Sequence, residues 1–205
     1  MVKTVTSDIE GVMSYYARFE LIQGHVFRFD TRIYLGQVPC HEEGECVGAV
    51  VGKNPGSAKP TQLDVLAPLS LDGDKMLPSV RNRFLRAYER AGRLAPRGAF
   101  VRVWNLVYLC NPNLTAACSS MSRITNVPVC PSEGSQPKVV WFAWGGADRR
   151  IDAFKQRFGA YGDGCFYYDH HRRTVVSGAP AVGDFAKHPQ GMPAEPLVRY
   201  LAGVL

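Results

Sequence analysis

Val47-Gly48-Ala49-Val50-Val51-Gly52-Lys53-Asn54-Pro55-Gly56 decides the fold. An apolar run that stops at a Gly/Pro turn reads as a buried strand, here residues 46–52. The carboxyl end of such a strand is where an open α/β sheet places its ligands. Two more runs share this character, Phe100 to Val107 and Val139 to Trp144. The last of them is apolar throughout, as expected of a strand covered on both faces. A fourth strand is expected around Phe166–Tyr168, Thr174–Ser177 or both. Helical spacing lies between and after the strands: from Ser79 to about Gly92, with Val80, Phe84, Leu85 and Tyr88 on one face, then Asp148 to Phe158, then 194–204. Strands alternating with helices imply an α/β chain, a three-layer α/β/α sandwich around a central, mainly parallel four-stranded sheet.

Outward from this core the signals weaken. Residues 1–45 read as an N-terminal extension of one domain whose α/β core is 46–205. The extension holds a short helix at Asp8 to Arg18 and a strand pair, 19–22 and 25–35, turning at Gln23-Gly24. Residues 57–78 are rich in Pro and Gly and read as a long irregular loop, a length usual in functional segments. Residues 111–137 read as loop with one short helix.

The 205 residues suffice for one domain with a real core. A net charge of +6 suits a polyanionic partner. No apolar run approaches the roughly 20 residues that span a bilayer, and Met1-Val2-Lys3-Thr4 lacks a signal-peptide core, so a cytoplasmic location without membrane contact is expected. Cysteines in such a compartment are expected as free thiols, and no Cys-x-x-Cys pair supports zinc. His170-His171 reads as loop rather than as a metal site.

Three landmarks fall at or near strand ends in sequence order: Gly52 to Gly56, Asn105 within Val103-Trp104-Asn105-Leu106-Val107, and His188-Pro189. Together they resemble the uracil-DNA glycosylase superfamily, above all its mismatch-specific branch, over residues 47–193. Asn54 to Ala58, Asn105-Leu106, Trp144-Gly145 and His188-Pro189 are also similar to a bacterial and phage domain group of unknown function. The resemblance implies a uracil-DNA-glycosylase-like fold and a DNA partner. It implies a reaction in which a pyrimidine-type base is flipped out and its N-glycosidic bond hydrolysed.

That chemistry needs water held near a sugar carbon that gains positive charge. It also needs donors for a base that departs as an anion. Asn54 and His188 are the expected catalytic pair. Asn54 would hold the water through its side-chain carbonyl, and being neutral it would give slow turnover. His188, held neutral, would be a fixed donor to a base carbonyl. Asn105 offers donor and acceptor side by side for the base edge. Gly52, Lys53, Pro55, Gly56, Ser57, Trp144 and Pro189 complete the expected base site, with Met192 as an apolar wedge. Lys59, Arg81, Lys187 and Gly191 are expected at DNA phosphates. Residues 57–78 contain no aromatic residue to stack on the base, so a bulkier, modified base, such as a phage pyrimidine, fits the expected pocket. DNA repair and anti-phage defence are the two settings this implies. No amine nucleophile is implied, hence no lyase step and no obligate protein partner or cofactor. Iron–sulfur members of the superfamily imply one minor alternative, a cluster on Cys40, Cys46, Cys110 and Cys130. A non-catalytic nucleic-acid-binding module and a nucleoside N-glycosidase remain as alternative functions.

Overall fold

A computed structural model of the chain describes residues 14–36, 44–56 and 59–205. Fourteen elements fall in the order β1 (Tyr15–Ile22), β2 (His25–Tyr34), β3 (Cys46–Gly52), β4 (Leu66–Pro68), α1 (Met76–Arg90), β5 (Phe100–Asn105), α2 (Leu114–Met121), a 3₁₀ turn at Pro131–Gly134, β6 (Val140–Phe142), a 3₁₀ turn at Arg149–Ile151, α3 (Asp152–Gln156), β7 (Cys165–Asp169), β8 (Thr174–Ser177) and α4 (Glu195–Val204). The eight strands form one mixed sheet in the order β4-β1-β2-β5-β3-β6-β7-β8.

The α/β class agrees with the sequence, but the expected four-stranded sheet is corrected to eight. Its centre, β5-β3-β6-β7, is mutually parallel. Antiparallel strands extend it on both sides: β2, β1 and β4 beyond β5, and β8 beyond β7. The hairpin β1-β2 therefore continues the core sheet, with Thr31 opposite Val103 and Tyr34 opposite Phe100. Its turn, Gln23-Gly24, has φ of 50° and 78°, the left-handed pair that suits a tight hairpin. The expected helix at Asp8 to Arg18 is corrected where it can be seen. Tyr15 to Arg18 are strand, paired with both β2 and β4; residues 8–13 lie outside the described residues.

Both faces of the sheet are covered. On one, Leu77, Val80 and Phe84 of α1 and Leu197 and Leu201 of α4 pack on Val50, Val101, Val103, Trp141 and Phe166. On the other, Trp104, Val51, Phe142 and Tyr167 meet Ala117 and Met121 of α2 with Ile151 and Phe158. Each large apolar side chain buried in this way contributes about 1.5–3 kcal/mol. Helix α1 begins at Met76, three residues before the expected Ser79. The Asp74 carboxylate accepts from Met76 N (2.7 Å) and Leu77 N (3.3 Å), taking up backbone donors of the first turn. Among the described residues no helix is long and apolar enough to cross a membrane.

One irregularity positions a side chain. Along β1-β2 the pairing steps from Tyr16–Arg32 to Arg18–Phe29, so β2 carries one extra residue, and Asp30 there has a φ of 44°. Such a bulge re-aims the residues around it. Ile33 and Leu35 pack with α1 and α4, whereas Phe27 and Phe29 pack on the opposite face. Arg28 therefore alternates onto the α1/α4 face.

Candidate functional site

In the parallel centre, β3 is flanked by β5 and β6, and chain order reverses beside it. The carboxyl ends at this switch point form the natural crevice of such a sheet. The structure has a cleft of about 280 Å³ at this end, bounded by Arg28, Asn54-Pro55-Gly56, Leu71 to Met76, His188 and Gln190. A larger hollow of about 810 Å³, edged by Glu133, Arg157, Tyr161 and Cys165, lies by the amino ends of β6 and β7. Three of its polar groups, Arg157, Glu133 and Tyr161, are spent on one another. Arg157 pairs with Glu133 at 2.7 Å, and Tyr161 donates to the Glu133 carbonyl. Position and unspent polar groups, rather than size, select the smaller cleft.

Backbone bonds fix the Asn54 turn against the exit of β5. Leu106 N donates to Gly52 O and Val107 N to Lys53 O, each at 3.0 Å. The Asn54 amide then donates through Nδ2 to the Asn111 carbonyl at 2.7 Å, which leaves Oδ1 as the acceptor available to the cleft. Asn111 in turn receives Asn113 N on its Oδ1, so this anchor is itself held. Gly56, at φ 75°, ends the turn in a conformation that favours glycine.

The His188 segment is hung from the ends of β6 and β7. Gly145 N donates to Ala186 O (2.7 Å), and Lys187 N donates to Tyr168 O (2.9 Å). His188 Nδ1 accepts from Gln190 N at 3.3 Å, an arrangement that places the proton of the neutral ring on Nε2. Burial pushes the His188 pKa below its ordinary value of 6.5; Asp74 opposes this and Lys53 adds to it. A depressed folded value means that the unfolded chain takes up its proton first. The stability that His188 contributes is therefore complete above pH 6.5 and lost as the pH falls through the folded value. Chemical denaturation of wild type and His188→Gln between about pH 8 and pH 5 is expected to show their stability difference shifting against the wild type on acidification. A difference independent of pH would contradict a His188 held neutral.

Asn105 ends β5 directly opposite Gly52. It is 1% exposed, and its Nδ2 has no hydrogen-bond partner. A Cβ placed on Gly52 would sit 3.1 Å from Asn105 Oδ1 and 3.3 Å from Met76 Cε, so the absent side chain at Gly52 makes room for both. Met76 edges the cleft and Asn105 does not, which places the Asn105 amide beneath Met76. Lys53 Nζ lies 3.7 Å from where a Gly145 Cβ would be, between the ends of β3 and β6.

The structure thus brings Asn54, Pro55, Gly56 and His188 to one cleft, with Gly52, Lys53 and Asn105 beside it. Other expected residues fall elsewhere. Trp144 is 1% exposed, on the opposite face against Phe142, and does not reach the cleft. Met192 is 6% exposed in the α1/α4 core and is no wedge in this arrangement. Arg81 spends its guanidinium on Tyr34 O (2.8 Å) and Leu35 O (3.2 Å), tying α1 to the end of β2. Pro189 is buried, Lys187 half-buried, and Lys59 and Gly191 exposed. Ser57 and Cys40 lie outside the described residues. Cys46 begins β3, whereas Cys110 follows the far end of β5, so these two lie at opposite ends of the sheet. Burial pushes the Cys46 thiol pKa up and that of Cys110 up to about 11. Among the described residues no three His, Cys, Asp or Glu side chains gather as metal ligands.

Two cleft residues escape a sequence reading. Asp74 sits in a loop of several acids, with no spacing to single it out. Arg28 sits in an alternating strand, where a charged residue reads as the solvent face. Its one signal is its place between two phenylalanines, Phe27 and Phe29. No family model, curated protein or solved structure matches this chain.

Proposed function

We propose that the chain is a monofunctional DNA glycosylase of uracil-DNA-glycosylase-like fold, acting on a pyrimidine-type base, natural or modified. The parallel centre supports the fold reading. Numbered in chain order its strands run second, first, third, fourth, and the Asn54 and His188 turns both lie at their carboxyl ends. The observation that carries the function is the pairing of these two turns in one cleft. Asn54 has its amide nitrogen anchored and its carbonyl left for a water. His188 has Nδ1 occupied and Nε2–H left for a base carbonyl.

In this reading water held on Asn54 Oδ1 attacks the sugar carbon as the glycosidic bond breaks. Bonding electrons leave with the base, and His188 stabilises the charge on its carbonyl by hydrogen bonding without transferring its proton. Asn105 reads the base edge once the flexible Met76 side chain moves aside. Two further carboxylates line the cleft; Asp72 accepts from the Ser70 hydroxyl, and Asp74, which also acts on His188, is assigned the proton of the water. A net charge of +6 supports a DNA partner.

Lys53 is not part of the cleft wall, and the reading contains no amine attack. Borohydride added during reaction with base-containing DNA is expected to trap no covalent complex, and no strand is nicked. A trapped adduct lost in Lys53→Ala would replace the hydrolytic reading with a lyase. The direct test of function is base release from DNA, read by mass spectrometry.

A further inference from the structure

Among the buried donors with nothing to bind on the α1/α4 face of the sheet, two lie at or beside the cleft. One is Asn105 Nδ2. The other is Arg28, on the neighbouring strand, which is 3% exposed and bounds the cleft. Its Nε has no hydrogen-bond partner, and no carboxylate lies within ion-pair distance among the described residues. The backbone around it is well held, with Arg28 N donating to Tyr108 O and Cys110 N to Val26 O, so the strand itself is not irregularly placed at this point. Burial pushes the guanidinium pKa down from its ordinary value, with Asp74 only partly opposing this. One oxygen of Asp74, Oδ1, is engaged by the first turn of α1.

A buried charge without a partner is destabilising, and a fold that keeps one at the wall of a cleft is using it there. Unmatched donors demand a ligand rich in acceptors. The bulge at Asp30 is what turns Arg28 toward this cleft. We propose that Arg28 is the receptor for negative charge in this site, taking an anionic carbonyl oxygen of the departing base on its guanidinium. This rests on the glycosylase reading and adds a residue to it. With Asn105 it selects a base of the dicarbonyl, uracil type over one presenting an amine at that edge. The interaction forms fully only as the base gains charge, so it acts on kcat more than on KM.

The test uses the full chain, the variants Arg28→Met and Arg28→Lys, and free 5-fluorouracil, a uracil that ionises more readily. Affinity measured by calorimetry from about pH 6.5 to about pH 9 is expected to rise about tenfold in the wild type as the base ionises, because charge-assisted bonds strengthen. Arg28→Met is expected to flatten that rise, and Arg28→Lys to retain part of it. Arg28→Met is also expected to melt about 2–4 °C above the wild type, since it keeps the stem and removes an unpaired buried charge. A structural role for Arg28 predicts the opposite sign. An unchanged pH dependence in Arg28→Met overturns the proposal, as does a lower melting temperature. Inorganic phosphate competing as strongly as the ionised base would overturn the assignment to the base. Base release at the wild-type kcat by Arg28→Met would defeat this inference and leave the glycosylase reading standing. Anion preference without any base release from DNA would do the reverse.

Discussion

Asn54→Ala is expected to slow base release about 100-fold while leaving the chain folded. The side chain is anchored at one end only, through Nδ2 to Asn111 O at 2.7 Å. Losing that bond costs about 1 kcal/mol of stability. Losing the water acceptor costs the chemical step about 2.7 kcal/mol, which is two factors of ten. The two effects separate in measurement. Single-turnover base release falls by two orders of magnitude, while the denaturation midpoint moves only slightly. Asn54→Asp divides the possibilities further. A carboxylate keeps an acceptor and adds basicity but gives up the donation to Asn111 O, so release above that of Asn54→Ala is expected. Equal loss in both variants would mean that Asn54 serves the turn and not the water.

Arg83→Met is expected to lower stability by about 2 kcal/mol and to impair His188 without touching it. Arg83 is 7% exposed, and its fork reaches Pro189 O (3.1 Å), Met192 O (2.9 Å) and Ser79 O (3.0 Å), as well as the Ser79 hydroxyl. It ties α1 to the loop that carries His188. Removing it leaves buried carbonyls unmatched, and a melting temperature lower by about 4–8 °C is the expected readout. Lysine cannot span the same carbonyls with a fork, so Arg83→Lys is expected to recover little. The two buried arginines thus make opposite forecasts. Arg83 has its acceptors, and its loss destabilises. Arg28 has none, and its loss stabilises while emptying the site of its charge. A thermal unfolding series on the two Met variants reads both signs in one experiment.

The strand that carries the site was legible because nothing competes with it. Cys46–Gly52 is an apolar run closed by Lys53-Asn54-Pro55-Gly56, and the structure places strand and turn where that pattern puts them. Asn54 and His188 were legible for a related reason, since Pro beside each marks a turn; Asn54 follows β3 directly, whereas the His188 turn reaches the sheet through the bridges of Ala186 to Gly145 and Asp169. Length hid other elements. Leu66–Pro68 has three residues and a proline, a pattern that only pairing with Tyr16 to Arg18 makes a strand. The same pairing overrides the helical spacing at Tyr15 to Arg18. The start of α1 was hidden because its donors are met by Asp74, one of several acids in an irregular loop, while Ser79 looked the better cap. Arg28 was hidden most deeply. Alternation in β2 is broken at Asp30, so the face an arginine occupies there cannot be read by counting in twos. Trp144 and Met192 failed as site residues for the opposite reason: large apolar side chains near a strand end are claimed by the core.

The central claim is that the Asn54 and His188 turns together release a base from DNA. Mass spectrometry of bases freed from a panel of natural and modified DNAs, wild type beside Asn54→Ala, tests it most directly. The account predicts a free pyrimidine-type base from at least one DNA with the wild type, with strands left intact, and about 100-fold less with the variant. No base from any DNA, or the same base at the same rate from both proteins, would contradict it.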